Sequence, residues 1–221
     1  MNIPPWSYSA LDTFEQCPKR YYHRYILKER EPETEVTKHG TMVHEALEFR
    51  VKEDRPLPEA YSSYESLAKS IADHKSDPTV KVITEMPVAL TWKFQPCEFF
   101  SPDVWGRGKA DVVMIKKDKA WIGDWKTGKV REKPDQVKIM AAFMFKLFPE
   151  VTKISAHNIW LQQGKLGEKY QFSKEHEPVL WAEIVGKVER IEKAYEKNRF
   201  DPKPSGLCGF CNVKVCPNNR S

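Results

Sequence analysis

The sequence predicts an α/β fold in which a mixed β-sheet is flanked by helices. Helical patterns occupy the N-terminal third of the chain, β-forming residues dominate its middle, and strand and helix patterns alternate towards its C-terminus. The 221 residues are enough for one substantial hydrophobic core. We therefore expect residues 1–221 to form a single domain.

The predicted helices depend on apolar side chains spaced three and four residues apart. Ser9 is the expected cap of the first helix, and Pro18 is expected in the first turn of the second. The charged segment 30–38 favours a loop. Further helices are predicted over residues 40–52, 61–71, 137–148 and 178–198.

The predicted strands depend on β-branched and aromatic residues that lie between turn-forming residues. They cover residues 80–94, 107–115, 120–126, 153–162 and 168–172. The second and third strands form a β-hairpin, with Lys117 and Asp118 at the centre of its turn. The tail after residue 200 has too few apolar residues to fold unaided, so it needs another means of attachment.

Composition excludes several classes of protein. Hydrophobic residues make up 40% of the chain and charged residues 30%, which excludes a disordered or fibrous chain. No apolar run is long enough to cross a bilayer and the N-terminus lacks a signal-peptide pattern, so we expect a cytoplasmic protein without a membrane partner. The net charge of +5 fits a nucleic-acid partner and fits an ordinary solvated surface at least as well.

Two aspartates face each other in the predicted hairpin. If the hairpin closes symmetrically about Lys117 and Asp118, Asp111 lies opposite Asp124. Directly opposed side chains have Cβ atoms about 5 Å apart, and like charges at that distance repel. A divalent cation such as Mg²⁺ or Mn²⁺ removes the repulsion, because hard cations bind carboxylate oxygens. The pair therefore predicts a metal site.

Lys126 and His44 extend the predicted site. Lys126 lies two residues after Asp124, so both side chains project from the same face of the strand. An ammonium group beside a cation can orient a water molecule or neutralise a phosphate. His44 lies on a predicted helix and offers an imidazole ligand. A surface hairpin with an Asp–Lys pair and an ordinary helical histidine would show the same residues.

Four of the five cysteines form a second pattern. Cys208, Cys211 and Cys216 lie close together in the tail, and Cys17 lies near the start of the chain. An odd number of cysteines argues against a disulfide framework. Four thiolates fit either zinc or an iron–sulfur cluster, and the spacing alone leaves both open. Either group would attach the tail to the N-terminal helix.

Taken in order, these motifs resemble the RecB-like nucleases of the PD-(D/E)xK superfamily. The segments that carry the resemblance are SYSALDTFEQCPKRYYHRYI, GTMVHEAL, GKADVV and DWKTG, followed by Gln136. They extend over nearly the whole chain. The resemblance implies a restriction-endonuclease-like fold and the hydrolysis of phosphodiester bonds with divalent cations.

The resemblance also assigns roles to individual residues. It implies that a metal ion is bound by the side chains of His44, Asp111 and Asp124 and by the main-chain carbonyl of Trp125. It makes Lys126 the catalytic lysine.

One motif of the family is incomplete. Gln136 stands at the first position of the Gln-x-x-x-Tyr motif, which implies a catalytic role, but Met140 stands where tyrosine is usual. The apolar stripe of the helix explains Met140 as a core residue. Glu85, on the strand before the hairpin, is a further candidate that would contact a second metal ion or the metal ligands.

The cysteine pattern resembles an iron–sulfur subgroup that includes CRISPR-associated RecB-like exonucleases and the AddB nuclease domain. Members bind a [4Fe–4S] cluster through one N-terminal and three C-terminal cysteines, which here are Cys17, Cys208, Cys211 and Cys216. The last gap is four residues, where five is common. Residues 1–30 and 200–221 would together form the subregion that holds the cluster, and structural Zn²⁺ is the alternative.

Basic residues near the motifs are candidate DNA contacts, and they are Lys19, Arg20, Arg24, Lys129, Arg131 and Lys133. Tyr21, Tyr22 and Tyr25 either stack on bases or face the core. The family implies cleavage of single-stranded DNA or DNA with free ends, in recombination, repair or phage DNA processing. A compact chain of this type would suit a phage.

Two other functions are compatible with the sequence. One is a DNA-binding module that has lost catalysis and keeps a cysteine-bound metal for stability. The other is a subunit that needs a helicase or recombination partner, since the chain lacks a P-loop motif. The intact set of His44, Asp111, Asp124 and Lys126 favours the nuclease.

Overall fold

The computed structural model describes residues 3–220, and its regular structure within that range consists of six α-helices and six β-strands. The helices are α1 (Tyr8–Gln16), α2 (Pro18–Tyr21), α3 (Glu35–Glu53), α4 (Glu65–Ala72), α5 (Pro134–Leu147) and α6 (Glu177–Glu196). The strands are β1 (Lys81–Thr91), β2 (Val104–Lys116), β3 (Lys119–Lys126), β4 (Lys153–Trp160), β5 (Lys165–Leu166) and β6 (Tyr170–Ser173). A π-helical turn, Tyr22–Ile26, continues α2.

The strands form one mixed sheet in the order β1, β2, β3, β4, and β5 and β6 both pair with the free edge of β4. Strands β1 to β3 are antiparallel neighbours, whereas β3 and β4 run parallel. A parallel pair needs a crossover connection, and α5 provides it. The loop that leaves β3 therefore starts at the edge of the sheet where β4 also ends.

Helices cover both faces of this sheet. Phe143 of α5 and Ile184 of α6 pack with Val113 against one face, together with side chains of α1 and α2. Val43 of α3 packs with Val112 against the other face, together with side chains of α4. This arrangement is the predicted α/β architecture with a mixed sheet between helices. Within residues 3–220, no helix is long and apolar enough to cross a membrane.

Several helices begin earlier than the sequence patterns indicate, and α1 and α3 show the reason. Ser7, rather than Ser9, caps α1, because its hydroxyl accepts a hydrogen bond from the backbone N–H of Ala10 (3.2 Å). Helix α3 starts inside the charged segment 30–38, where the hydroxyl of Thr34 accepts the N–H of residue 37. The prediction of a loop was wrong there, since polar composition also describes the solvated first turn of a helix.

Two glycines in the sheet leave room for tryptophan rings that pack directly against the backbone. A Cβ atom at Gly106 would overlap the indole of Trp6, and one at Gly123 would overlap the ring of Trp121. The backbone N–H of Trp6 donates to the carbonyl of Trp105 (3.0 Å), so the N-terminal segment is held against β2. Close packing thus fixes the strands that carry Asp111 and Asp124.

Candidate active site

The predicted catalytic and metal-binding side chains lie in two neighbouring sets. Among the described residues, ligand atoms of His44 and Asp111 come within 4.8 Å of each other and of Glu85, whereas Asp124 contacts Lys126 and Gln136. Helix α3 supplies His44, β2 supplies Asp111, β3 supplies Asp124 and Lys126, and α5 supplies Gln136. We call this group the carboxylate site.

Asp111 joins β2 to β3 and to α3. Its Oδ2 accepts a hydrogen bond from the backbone N–H of Trp125 (2.8 Å) and lies 3.5 Å from Nδ1 of His44. The side chain of Trp125 is buried in the core beneath α3, which holds its backbone N–H in place. The hydrogen bond from the backbone N–H of Trp125 therefore orients the Asp111 carboxylate.

The hairpin has the predicted register up to the edge of this site. Its ladder runs from the Lys116–Lys119 pair to the Val112–Gly123 pair. Asp111 and Asp124 are the next residues on the two strands. Instead of a further ladder pair, the Asp111 carboxylate accepts the main-chain N–H that follows Asp124.

Asp124, Lys126 and Gln136 form a closed set of contacts. Nε2 of Gln136 donates to Oδ1 of Asp124, and Nζ of Lys126 donates to Oε1 of Gln136 (2.8 Å). The Lys126 ammonium also pairs with Oδ2 of Asp124. Because Gln136 lies in the first turn of α5, the helix start determines where the ammonium group lies.

The site carries a surplus of negative charge. Burial raises the pKa of Asp124, and the charge of Asp111 raises it further, against the opposing effect of Lys126. Burial would lower the pKa of His44, but the hydrogen bond and charge of Asp111, together with Asp124 and Glu85, outweigh it and raise that pKa. Both shifts describe surroundings that favour an added cation.

Glu85 completes a candidate metal-binding group. One ligand atom each from His44, Glu85 and Asp111 lies within 4.8 Å of the other two, and these residues line an open groove of about 710 Å³. Glu85 has φ of 47°, which is the left-handed region that non-glycine residues rarely adopt. Such backbone strain clusters at functional sites, and the register of β1 and β2 places Glu85 at the level of Asp111.

Met140 and Tyr8 bear on the incomplete glutamine–tyrosine motif. Met140 is buried in the core, as the helix stripe indicates. Tyr8, at the start of α1, has its pKa raised by burial first and then by the charges of Asp12, Asp135 and Asp124. Its phenol therefore lies near the carboxylate site. No local spacing could have revealed Tyr8, because the packing of α1 against α5 brings it there.

The predicted DNA contacts divide into two groups. Lys129 and Arg131 are exposed in the loop that follows β3. Arg20 and Arg24 instead pair with Glu31, at 2.8 and 3.1 Å. A phosphate would have to displace that carboxylate, so the arrangement is less favourable for DNA binding than the sequence indicates.

The remaining predicted contacts are also engaged with the protein. Lys133 pairs with Asp12 (3.4 Å), and Lys19 lies over the ring of Tyr22 (5.9 Å). Tyr21 is 1% exposed and stacks on Tyr25, so of the two interpretations of these tyrosines the core position applies to Tyr21.

The four predicted cluster cysteines line one cavity of about 180 Å³ between the end of α1 and the tail, and we call it the cysteine cavity. Backbone N–H groups of Lys203 and Ser205 lie 3.4 and 3.3 Å from the sulfur atoms of Cys17 and Cys208. Within residues 3–220, the cysteines form no disulfide, and no three sulfur atoms come within 4.8 Å of one another. The fold thus gathers the four side chains without closing a ligand set around a metal.

The hairpin thus brings two aspartates and a lysine to one edge of a mixed sheet, beside a histidine from a flanking helix. The chain belongs to the PD-(D/E)XK nuclease superfamily, whose sequence model matches residues 5–217.

Solved structures of similar fold lie at low sequence identity. The crystal structure of SSO0001 is 13% identical, with 100% of this chain and 89% of that chain covered and a TM-score of 0.49. A protein from Eubacterium rectale described as a candidate exonuclease is also 13% identical, with 96% and 88% covered and a TM-score of 0.54. The second likeness supports the fold. No curated protein sequence matches the chain significantly.

Proposed function

We propose that this chain is a divalent-metal-dependent deoxyribonuclease that acts as an exonuclease on single-stranded DNA or DNA with free ends. The observation that carries the proposal is the contact network in which the fold itself joins Asp111 to His44 and Asp124 to Lys126. The superfamily supplies the reaction class, which is phosphodiester hydrolysis.

The donor groups of the carboxylate site suit a hard cation such as Mg²⁺ or Mn²⁺. The Asp124 carboxylate is buried, and its Oδ2 contacts the ammonium of Lys126. The groups that would hold the cation are the side chains of His44, Asp111 and Asp124 and the main-chain carbonyl of Trp125, with Glu85 beside them. When bound, a divalent cation polarises the scissile phosphate and makes a water molecule more acidic.

The remaining groups act on charge and orientation. The ammonium of Lys126, held by Asp124 and Gln136, is placed to orient the attacking water and to neutralise negative charge that develops on the phosphate. Gln136 contacts both charged partners and so fixes the distance between them. Water attacks the phosphorus and the sugar oxygen leaves, so no side chain of the protein is needed as a covalent nucleophile.

The exonuclease mode and the cellular role follow from the resemblance to RecB-like nucleases. That resemblance supports a role in recombination, repair or phage DNA processing, alone or with a helicase partner. The description of the Eubacterium rectale protein as a candidate exonuclease points in the same direction.

We also propose that Cys17, Cys208, Cys211 and Cys216 bind a [4Fe–4S] cluster that attaches the tail, with structural zinc as the alternative. A zinc ion with Zn–S distances of about 2.3 Å needs sulfur atoms roughly 3.8 Å apart. No three of the sulfur atoms described in residues 3–220 lie within 4.8 Å of one another, so the preference for the iron–sulfur cluster comes from the resemblance to the iron–sulfur subgroup. We assign the cluster a structural role.

The experiment is cleavage of end-labelled single- and double-stranded DNA with Mg²⁺ or Mn²⁺, using protein purified without air. Wild type is compared with Lys126→Ala and with Lys197→Ala, a matched control because Lys197 is an exposed lysine at the end of α6. We expect metal-dependent degradation by wild type and the control, and none by Lys126→Ala. The product ladder gives the polarity.

The proposal fails if wild type that retains its iron or zinc cleaves neither substrate. Binding of DNA without cleavage would then support a binding module, whose motif position 140 already lacks the tyrosine. Cleavage that appears only after a helicase is added would support the partner-dependent subunit.

A further inference from the structure

The loop between β3 and α5, residues 127–133, connects two residues of the carboxylate site, and we call it the basic loop. Lys126 precedes it and Gln136 follows it closely, and these two side chains are hydrogen bonded at 2.8 Å. Lys129 and Arg131 are exposed in the loop. The loop therefore carries two cations within a few residues of the catalytic lysine.

Glu132 binds the basic loop to the sheet. Its Oε2 accepts a hydrogen bond from Nδ2 of Asn158 (2.7 Å). Its Oε1 accepts hydrogen bonds from the indole N–H of Trp160 (2.9 Å) and the backbone N–H of Glu168 (3.2 Å). One carboxylate thus connects the loop to β4 and to the turn between β5 and β6.

Tyr170, on β6, is a further donor near Glu132. Its hydroxyl lies 3.3 Å from Oε2 of Glu132 and 3.2 Å from a carboxylate oxygen of Glu168, so it donates to one or the other. Burial would raise the pKa of Glu132, but the hydrogen bonds from Trp160 and Asn158 outweigh it and lower that pKa. Glu132 is therefore held as a carboxylate.

Two of the donors to Glu132 belong to buried residues. Asn158 is 1% exposed and Trp160 is 2% exposed, so loss of the acceptor would leave two buried donors poorly satisfied. Asn158 is also the residue of β4 that pairs with Asp124 of β3. The Glu132 carboxylate is thus held on β4, the strand next to the one that carries Asp124.

Gly167 is an independent sign that this contact is tightly built. Its N–H donates to the carbonyl of Asn158 (2.7 Å). A Cβ atom at position 167 would overlap the carboxylate of Glu132 and the indole nitrogen of Trp160. The turn between β5 and β6 therefore closes directly over the hydrogen bond between those two residues, and a larger residue would break it.

We propose that Glu132 is a positioning residue that fixes the basic loop on β4, so that Lys129 and Arg131 bind the DNA backbone beside the scissile phosphate. The proposal rests on the nuclease function proposed above. An acidic residue this close to DNA repels phosphate by its charge. A beneficial effect of Glu132 on DNA binding must therefore come from the position that it gives to the loop.

The effect of charge and the effect of loop position change DNA affinity in opposite directions, and this difference provides the test. By charge alone, Glu132→Gln tightens DNA binding, because it removes a negative charge near the phosphates. If Glu132 positions the loop, Glu132→Gln weakens binding, because glutamine has one acceptor oxygen and turns an N–H group towards its donors. The matched control is Glu150→Gln, which makes the same charge change at an exposed residue between α5 and β4.

The measurements are Kd for a labelled single strand without divalent cation and the separate values of kcat and KM with Mg²⁺. For Glu132→Gln we expect Kd and KM to rise about tenfold, with a shallower salt dependence, while kcat stays within about twofold. Gly167→Ala, which changes no charge, should act in the same direction. Unchanged or tighter binding by Glu132→Gln overturns the proposal.

A second readout does not depend on nuclease activity. Trypsin cuts after Lys129, and a tethered loop resists it; the bond after Arg131 is not scored, because Glu132→Gln changes the residue that follows it. Both variants should be cut there several times faster than wild type, with melting still cooperative. If the variants and wild type are cut at equal rates, Glu132 does not hold the loop. If the variants are cut faster but their Kd for DNA is unchanged, the loop does not contact DNA. If Glu132→Gln does not fold, Tyr170→Phe removes a donor instead of the acceptor and should show a smaller effect of the same sign.

If wild type neither binds nor cleaves DNA, the nuclease proposal and the DNA contact fail together. The trypsin rates then still decide whether Glu132 holds the loop.

Discussion

The carboxylate site and the cysteine cavity hold their polar groups in different ways. Asp111 receives a main-chain N–H from Trp125, whose side chain is buried, and Asp124 contacts Lys126 and Gln136. These contacts are made between groups of the protein itself. The sulfur atoms of the cysteine cavity share one space but do not approach one another as a ligand set within the described residues.

The tail explains the difference. Among the described residues after 200, Val213 is the one buried hydrophobic side chain, and the tail's regular structure is the 3₁₀ turn Gly206–Phe210. A segment that buries so little apolar surface gains little from packing. The carboxylate site is organised by the fold, whereas the tail is a part of the fold that a bound metal group would stabilise.

The largest effect is expected at the carboxylate site, where a substitution should abolish most of the nuclease activity and leave the fold intact. Asp111→Asn should lower nuclease activity by about two to three orders of magnitude, because it removes a carboxylate that is proposed to hold the divalent cation. Its melting temperature should stay near that of wild type, since an amide still accepts the N–H of Trp125. Cleavage rates and thermal melts are compared with Asp73→Asn, a control at an exposed aspartate. A large loss of stability would contradict an organised carboxylate site.

The next largest effect is expected at the cysteine cavity, where a substitution should lower the stability of the fold. Cys17→Ser is expected to lose bound metal and to lower the melting temperature by roughly 5–10 °C, which corresponds to a few kcal/mol for a chain of this size. Cys97→Ser, outside the cavity, is the control. Metal analysis and thermal melting measure both. Full stability in Cys17→Ser would remove the distinction between the two regions.

A pH experiment sharpens the comparison at Asp124. Because burial and Asp111 raise its folded pKa above the unfolded value, the metal-free protein should lose stability as pH rises from the unfolded pKa through the folded one. Asp124→Asn cannot titrate, so in EDTA it should be more stable than wild type at pH 8 by on the order of 2 kcal/mol. The two proteins should converge near pH 4. Denaturant unfolding at both pH values measures the difference in the free energy of unfolding between the two proteins. A difference that does not change with pH would contradict the explanation.

The smallest effects test how tightly β3 is packed. Gly123→Ala should destabilise the protein by about 1–3 kcal/mol, because the new methyl overlaps Trp121 and lies 2.7 Å from Cδ1 of Ile159. Gly186→Ala, inside α6 with no atom near the added methyl, should instead stabilise it by about 0.5–1 kcal/mol. Urea unfolding of both variants measures the contrast, and equal effects would show that the strand has room.

Local patterns predicted the mixed α/β architecture and the register of the hairpin. The turn at Lys117 and Asp118 fixes which residues face each other, and this placed Asp111 and Asp124 at the same edge from sequence alone. The lysine at position 126 followed from the period of two along a strand. These features depend on residues that are close in the chain.

Contacts between distant segments were beyond such patterns. Glu132 receives hydrogen bonds from residues 26 to 38 positions away, and no spacing rule connects a loop carboxylate with Asn158, Trp160 or Tyr170. The pairing of Arg20 with Glu31 likewise depends on how the chain turns after α2. Tyr8 reaches the carboxylate site through helix packing alone.

The cysteine cavity combines side chains from both ends of the chain, and this sets an order of events during synthesis. Cys17 precedes every strand of the sheet, whereas Cys208, Cys211 and Cys216 follow all six strands. Segments nearer the N-terminus can fold while the ribosome is still adding residues. The sheet with its carboxylate site can thus be complete before the cavity exists, so a metal group of the cavity would be acquired after the sheet has formed.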